Sequence, residues 1–129
     1  MQDQPRPDEI LAVIAAFLRT TVIPKTDAHT AFQARVAAHA VDLVRRQLEL
    51  GAAGEEAELA RLQALLGHSG TLPELNAELA DALACGAKGL AAPGVSAHLL
   101  ATTLEKLGVD QPNYSGYRAA LATPDIEDT

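Results

Sequence analysis

Apolar residues recur at intervals of three and four residues along most of this 129-residue chain. This spacing places them on one face of an α-helix, whereas a half-buried β-strand would alternate apolar and polar residues. Most of the apolar residues are alanine and leucine, which are strong helix formers, and only two Phe and two Tyr represent the aromatic residues that favour strands. The sequence therefore predicts an all-α fold.

The pattern divides into five helices, which we expect to pack as an antiparallel bundle in a single domain spanning residues 1–129. Glycines and prolines mark the expected boundaries. The predicted helices are 7–23, stopped by Pro24; 30–50, ended by Gly51; 54–66, ended by Gly67; 71–84; and 94–107, ended by Gly108. We expect order from about residue 7 to residue 118 and flexible termini, including the C-terminal segment TPDIEDT.

The second predicted helix has the widest apolar face, and we therefore expect it to form the centre of the bundle. A narrow arc of this helix contains Phe32, Val36, His39, Leu43 and Leu50. On this basis Leu43→Ala should destabilise the fold more than Leu59→Ala in the third helix. The fourth helix opens with Thr71-Leu72-Pro73-Glu74, a capping-box pattern, and continues with a leucine stripe at positions 72, 75, 79 and 83.

The charge balance excludes several classes of partner. Ten Lys and Arg against seventeen Asp and Glu give a net charge of −7, which repels nucleic-acid phosphates and anionic membrane surfaces. The longest apolar run, 10–18, is too short to span a membrane, and the polar N-terminus does not resemble a signal peptide. With a single cysteine, Cys85, these features favour a cytoplasmic protein.

No catalytic, cofactor or metal motif stands out. The four histidines are at positions 29, 39, 68 and 98, and no pair has the spacing that puts two ligands on one helical face. We therefore expect no metal and no cofactor on this chain. The best helical candidate for a functional surface is a polar stripe along the second helix, at steps of four, three and four residues: Arg35, His39, Asp42 and Arg46. Ion pairs along a solvated face have the same pattern.

The segment VDQPNYSGYRAA, residues 109–120, contains both tyrosines of the chain. Pro112 and Gly116 favour bends, so we expect a non-helical tail behind the last helix. Tyrosine and arginine are enriched at interface hot spots, which makes Tyr114, Tyr117 and Arg118 candidate interface residues. A ring that folds back to cap the bundle is the alternative, and Tyr114 is the better candidate for that role.

Three stretches resemble a family of small bacterial helical proteins described only as a domain of unknown function: QDQPRPDEILAVIAAFL, AFQARVAAHAVDLVRRQLELG and TTLEKLGVDQPNYSGYR. The resemblance covers residues 2–118. Its most distinctive part is the ending around Asn113-Tyr114-Ser115-Gly116. The family pattern has Asn where this chain has His39.

The resemblance implies a function. Members are commonly encoded beside kinases of the aminoglycoside-phosphotransferase type and beside acyl-CoA dehydrogenases, and some resemble the small partner of a hydroxyacyl-CoA kinase. It therefore implies a non-catalytic accessory subunit whose partner is a larger kinase-like enzyme or another protein of acyl-CoA metabolism. ATP, Mg²⁺ and acyl-CoA would then bind to the partner.

Two alternatives stay open. One is a small-molecule-binding or lyase-like helical enzyme with a bundle pocket at His39, formed with Arg35 and Asp42. The other is a self-contained homodimer with a structural role.

Overall fold

The computed structural model describes residues 3–123, and this part of the chain is all-α, as predicted. Residues 124–129, within the segment expected to fray, lie outside the described part. The α-helices are α1 (Pro7–Phe17), α2 (Ala28–Leu66), α3 (Leu72–Ala84), α4 (Val95–Asp110) and α5 (Ser115–Ala122). A π-helical turn, Leu18–Val22, and a 3-10 turn, Ile23–Lys25, follow α1.

Helix α1 begins at Pro7, as predicted. Proline fits this position because the first amides of a helix have no intrahelical acceptor. The backbone N–H of Arg6 donates to Glu9 Oε2 at 2.8 Å, which satisfies a further free amide. Helical backbone continues through the π-helical turn, and Pro24 lies within the 3-10 turn that ends it.

The predicted break between the second and third helices is wrong. Helix α2 runs without interruption for 39 residues, through both Gly51 and Gly54. Positive φ angles, which a terminating glycine adopts, occur instead at Gly67, Gly86 and Gly94. A glycine inside a helix costs only about 0.5–1 kcal/mol relative to alanine. The alanines and glutamates around residues 51–57 are strong enough helix formers to offset that cost.

The chain divides into two compact units, 1–51 and 52–129. The N-terminal unit contains α1, the two short turns and the first part of α2. Arg19 in the π-helical turn donates to Asp42 of α2 at 2.6 Å, and the charge of Glu49 acts on Arg6. Arg6 lies just before α1 and is matched with Glu49, whereas Arg19 lies just after α1 and is matched with the earlier residue Asp42. Helices α1 and α2 therefore run antiparallel, and we call this unit a helical hairpin.

The buried residues of the N-terminal hairpin are small. Ala15 of α1 is buried, and so are Ala31, Ala34 and Ala38 on one face of α2. The apolar arc that we expected to be the core lies on a different face and is exposed, with Leu43 39% accessible. The premise that Leu43 lies at the centre of the core is therefore wrong. Since Leu59 packs against a buried leucine cluster, this burial predicts the opposite order, with Leu59→Ala costing more stability than Leu43→Ala.

That cluster is the core of the C-terminal unit and contains Leu62, Leu75 and Leu79. The leucine stripe predicted for residues 72–83 is confirmed as the buried face of α3. The predicted capping box is present at the start of α3. The backbone N–H of Thr71 donates to Glu74 Oε2 at 3.0 Å, and the Thr71 hydroxyl also donates to this carboxylate, at 2.8 Å.

The end of the described chain is more helical than predicted. Helix α4 continues past Gly108 to Asp110, and the segment predicted to be a non-helical tail forms α5 after a short turn. The turn is closed by a hydrogen bond from the Tyr114 N–H to the Gln111 carbonyl at 3.0 Å. Of the two residues expected to bend the chain, Pro112 and Gly116, only Pro112 lies in the turn.

Candidate functional site

The most prominent candidate site is an apolar surface on the N-terminal unit. Phe32, Val36, Leu43 and Leu50 follow one face of α2, and their accessible fractions are 62%, 54%, 39% and 48%. We call these four residues the apolar stripe. The sequence correctly placed them on one face but assigned that face to the core, because periodicity shows which residues share a face and not what covers it.

Helix α1 adds three exposed apolar residues to the same unit: Val13, Ile14 and Phe17. The unit therefore buries alanines and exposes both phenylalanines of the chain. A group of large apolar side chains exposed on one surface often marks a binding site, whereas a single exposed apolar residue does not. This surface can contribute hydrophobic contacts to a partner.

The predicted polar stripe borders the apolar stripe on α2, but its four residues do not act as one group. Asp42 is partly buried. It accepts a hydrogen bond from Arg19 at 2.6 Å and forms an ion pair with Arg45 at 3.6 Å. Burial alone would raise the pKa of Asp42, but the hydrogen bond and charge of Arg19 outweigh burial and lower it. Arg35 and His39 are exposed, whereas Arg46 is partly buried.

The burial of the two candidate tyrosines of the tail is the reverse of what we expected. Tyr117 is partly buried and lies over α4, where a Cβ atom at Gly108 would be 3.0 Å from its hydroxyl oxygen. Tyr114, the expected cap, is 52% accessible. Arg118 is exposed and donates to Asn113 Oδ1 at 2.6 Å. Tyr114 and Arg118 are thus the accessible members of this candidate interface.

Sequence reasoning missed a cavity in the C-terminal unit with a volume of about 270 Å³. Glu58 of α2 and His98 of α4 line it and are 7% and 3% accessible. Asn76 of α3 also lines the cavity and donates to Glu58 Oε1 at 2.9 Å. The only signal in the sequence was that Glu58 and His98 lie within apolar helical stretches. That pattern does not indicate that both would line one cavity.

A second ionic group lies beside the cavity. Arg61 donates to both carboxylate oxygens of Glu105, at 2.8 and 2.6 Å, and to the Thr102 hydroxyl at 3.2 Å. Burial, followed by the positive charge of Arg61, lowers the pKa of His98. The Nδ1 atom of His98 is buried without a hydrogen-bond partner among the described residues. His98 is therefore held in its neutral form.

The four histidines do not converge. His29 and His39 are exposed on the N-terminal unit, while His68 bonds to Glu78 at 3.0 Å and His98 is buried. Within residues 3–123, no three His, Cys, Asp or Glu side chains are grouped so that they could hold a metal ion. No helix in this part of the chain is long and apolar enough to cross a membrane.

Comparison with protein families gives one match, to Domain of unknown function (DUF6285), over residues 24–114. The matched region starts at Pro24 and contains α2, α3 and α4 with the turn that follows. The chain has no significant match among curated proteins or among solved structures.

Proposed function

The chain belongs to the DUF6285 family, and we propose that it is a non-catalytic accessory subunit that binds a larger enzyme. The observation that carries the proposal is the exposure of the apolar stripe on α2, supported by the exposed apolar residues of α1. Large apolar side chains contribute most to binding when a partner removes them from water. Arg35 and His39 border the stripe and would supply the polar rim that such interfaces have.

Charge favours a different protein over a second copy as the occupant of this surface. The N-terminal unit has six acidic and six basic residues, whereas the C-terminal unit has eleven acidic and four basic residues. Two copies of the whole chain, each with a net charge of −7, repel each other. A partner without this negative charge avoids that repulsion and can still cover the apolar stripe.

In its finer form, the proposal names the larger enzyme as a kinase of the aminoglycoside-phosphotransferase type that acts on a hydroxyacyl-CoA. This identity is what the family resemblance implies. The net charge of −7 supports assigning the polyanionic coenzyme A and ATP to the partner. We propose Tyr114 and Arg118, both accessible, as a second contact with the same enzyme.

The test is co-purification from the native host, with mass spectrometry of the proteins that elute with a tagged chain. Phe32→Glu places a charge in the apolar stripe. Gln33→Glu places the same charge on the neighbouring exposed residue, outside the stripe, and is the matched control. A kinase-like enzyme should elute with the wild type and with Gln33→Glu. Phe32→Glu should lose it.

Thermal melts of both variants check that each is folded. Since Phe32 is 62% accessible, neither charge should unfold the hairpin. Recovery of the same enzyme with folded Phe32→Glu would contradict a role for the apolar stripe. Recovery of untagged copies of the chain alone would identify a homodimer instead of an accessory subunit.

A further inference from the structure

The cavity of the C-terminal unit is lined by a buried carboxylate and by apolar side chains. The carboxylate is Glu58 of α2, and the apolar residues include Leu79 and Leu83 of α3 and Leu99 of α4. Lys106, which is exposed, also lines the cavity and provides a positive charge. Its volume, about 270 Å³, lies just below the ~300–1,000 Å³ of common ligand pockets and suits a small metabolite.

The ionic group beside the cavity, in which Arg61 and Glu105 are partly buried, contains more carboxylates than cations. Glu58 and Glu105 both act on the charge of Arg61, but Arg61 makes its two short hydrogen bonds to Glu105. The two carboxylates have two formal negative charges against the one positive charge of Arg61, and burial favours the neutral form of His98. A buried carboxylate is normally paired with a cation, because taking an unpaired charge out of water is costly.

Glu58 and Asn76 offer hydrogen-bond acceptors to a ligand in the cavity. Asn76 donates to Glu58 Oε1, and no donor to the other oxygen, Oε2, occurs among the described residues. The Asn76 amide oxygen also has no donor in residues 3–123. A primary ammonium group has three N–H donors and one positive charge, and it therefore satisfies both acceptors and completes the charge balance.

We propose that this cavity binds a small aliphatic zwitterion of the amino-acid type. The ammonium group of the ligand donates to Glu58 Oε2, its carbon chain packs on the leucines that line the cavity, and its carboxylate pairs with Lys106. A simple anion would place its charge near Glu58, and a simple amine would place its charge near Lys106. Only a ligand with both charges complements both Glu58 and Lys106.

Isothermal titration with δ-aminovalerate tests the proposal. Its two controls have the same chain length: valerate lacks the ammonium group, and pentylamine lacks the carboxylate. We expect saturable binding of δ-aminovalerate, with valerate and pentylamine each weaker by about tenfold or more, because each loses a charged hydrogen bond. Glu58→Gln, which keeps the size of the side chain, should weaken δ-aminovalerate binding by a similar factor.

Two further variants separate ligand binding from folding. Glu56→Gln removes the same charge from an exposed position of α2 and should leave binding unchanged. Lys106→Met alters an exposed residue and should abolish the advantage of δ-aminovalerate over pentylamine, even if Glu58→Gln does not fold. No binding of any probe at millimolar concentration, equal binding of valerate, or unchanged binding in folded Glu58→Gln would each overturn the proposal.

Discussion

Side-chain size distinguishes the buried face of the N-terminal hairpin from its exposed face. Ala31, Ala34 and Ala38 recur at intervals of three and four residues and lie on the buried face of α2. Small side chains allow helix axes to approach closely, and the larger residues of the apolar stripe point elsewhere. The hairpin thus buries small side chains and leaves both of its phenylalanines accessible.

Two leucines of α2 differ sharply in burial, which gives a prediction at the level of single residues. Leu62 is completely buried, whereas Leu43 is 39% accessible. We expect Leu62→Ala to lower the free energy of unfolding by about 2–5 kcal/mol, from lost transfer energy and the cavity left behind. Leu43→Ala should cost less than about 1 kcal/mol. Urea unfolding of both variants measures the difference.

A larger shift in the urea midpoint for Leu43→Ala than for Leu62→Ala would mean that the apolar stripe is buried in solution. Its exposure, and with it the main support for a docking surface, would then be refuted. A matched pair of this kind controls for chemistry, since both changes remove the same atoms from the same helix.

At the level of elements, α2 continues through Gly51 and Gly54, where the sequence predicted a break, whereas Gly94 precedes α4. Gly54 is helical, and a Cβ atom added there would be 3.9 Å from the Cβ of Glu105, an ordinary contact distance. Gly94 has φ of +82°, and a Cβ atom there would be 3.0 Å from the side chain of Leu65. Alanine should therefore have opposite effects at the two positions.

We expect Gly54→Ala to stabilise the protein by about 0.5–1 kcal/mol, because glycine loses more backbone entropy than alanine on forming a helix. Gly94→Ala should destabilise it by about 1 kcal/mol or more, because a left-handed backbone is unfavourable for alanine. Thermal or urea unfolding measures both. A loss of stability in Gly54→Ala would contradict a continuous α2.

At the level of the whole molecule, stability should depend on pH through two histidines with opposite effects. Burial lowers the pKa of His98 below its ordinary value of about 6.5. As the pH falls below 6.5, the unfolded chain binds a proton that folded His98 does not, and stability falls. The hydrogen bonds that His68 donates to the Glu78 carboxylate, and then to the Ser69 carbonyl, raise the pKa of His68. The contribution of His68 to stability is therefore present below 6.5 and is lost as the pH rises through the folded value.

The measurement is the urea midpoint at about pH 7.5 and about pH 5.5, on either side of the pKa of an unfolded histidine. Relative to the wild type, His98→Leu should lose less stability on acidification. His68→Gln should lose more, because it removes a contribution that favours the folded state at low pH. If wild type and His98→Leu lose the same amount, His98 is not held neutral by burial.

Local chemistry determined much of this protein from the sequence alone. Four predicted features each depend on residues within one or two helical turns: the all-α class, the start of α1, the capping box of α3 and the leucine stripe of α3. Helix propensity, free backbone amides and the 3.6-residue period act over that distance. The net charge of −7, and the partners it disfavours, is fixed by composition.

The tertiary structure decided what lies against each face. The apolar stripe and the alanine face of α2 have the same period, and only the packing of the hairpin determines which one is covered. Glu58 meets Asn76 across 18 residues, and Arg61 meets Glu105 across 44. Contacts over such separations depend on how helices pack, and helical periodicity holds no information about them. For the same physical reason, only the folded chain shows the cavity, the exposure of Tyr114 and the partial burial of Tyr117.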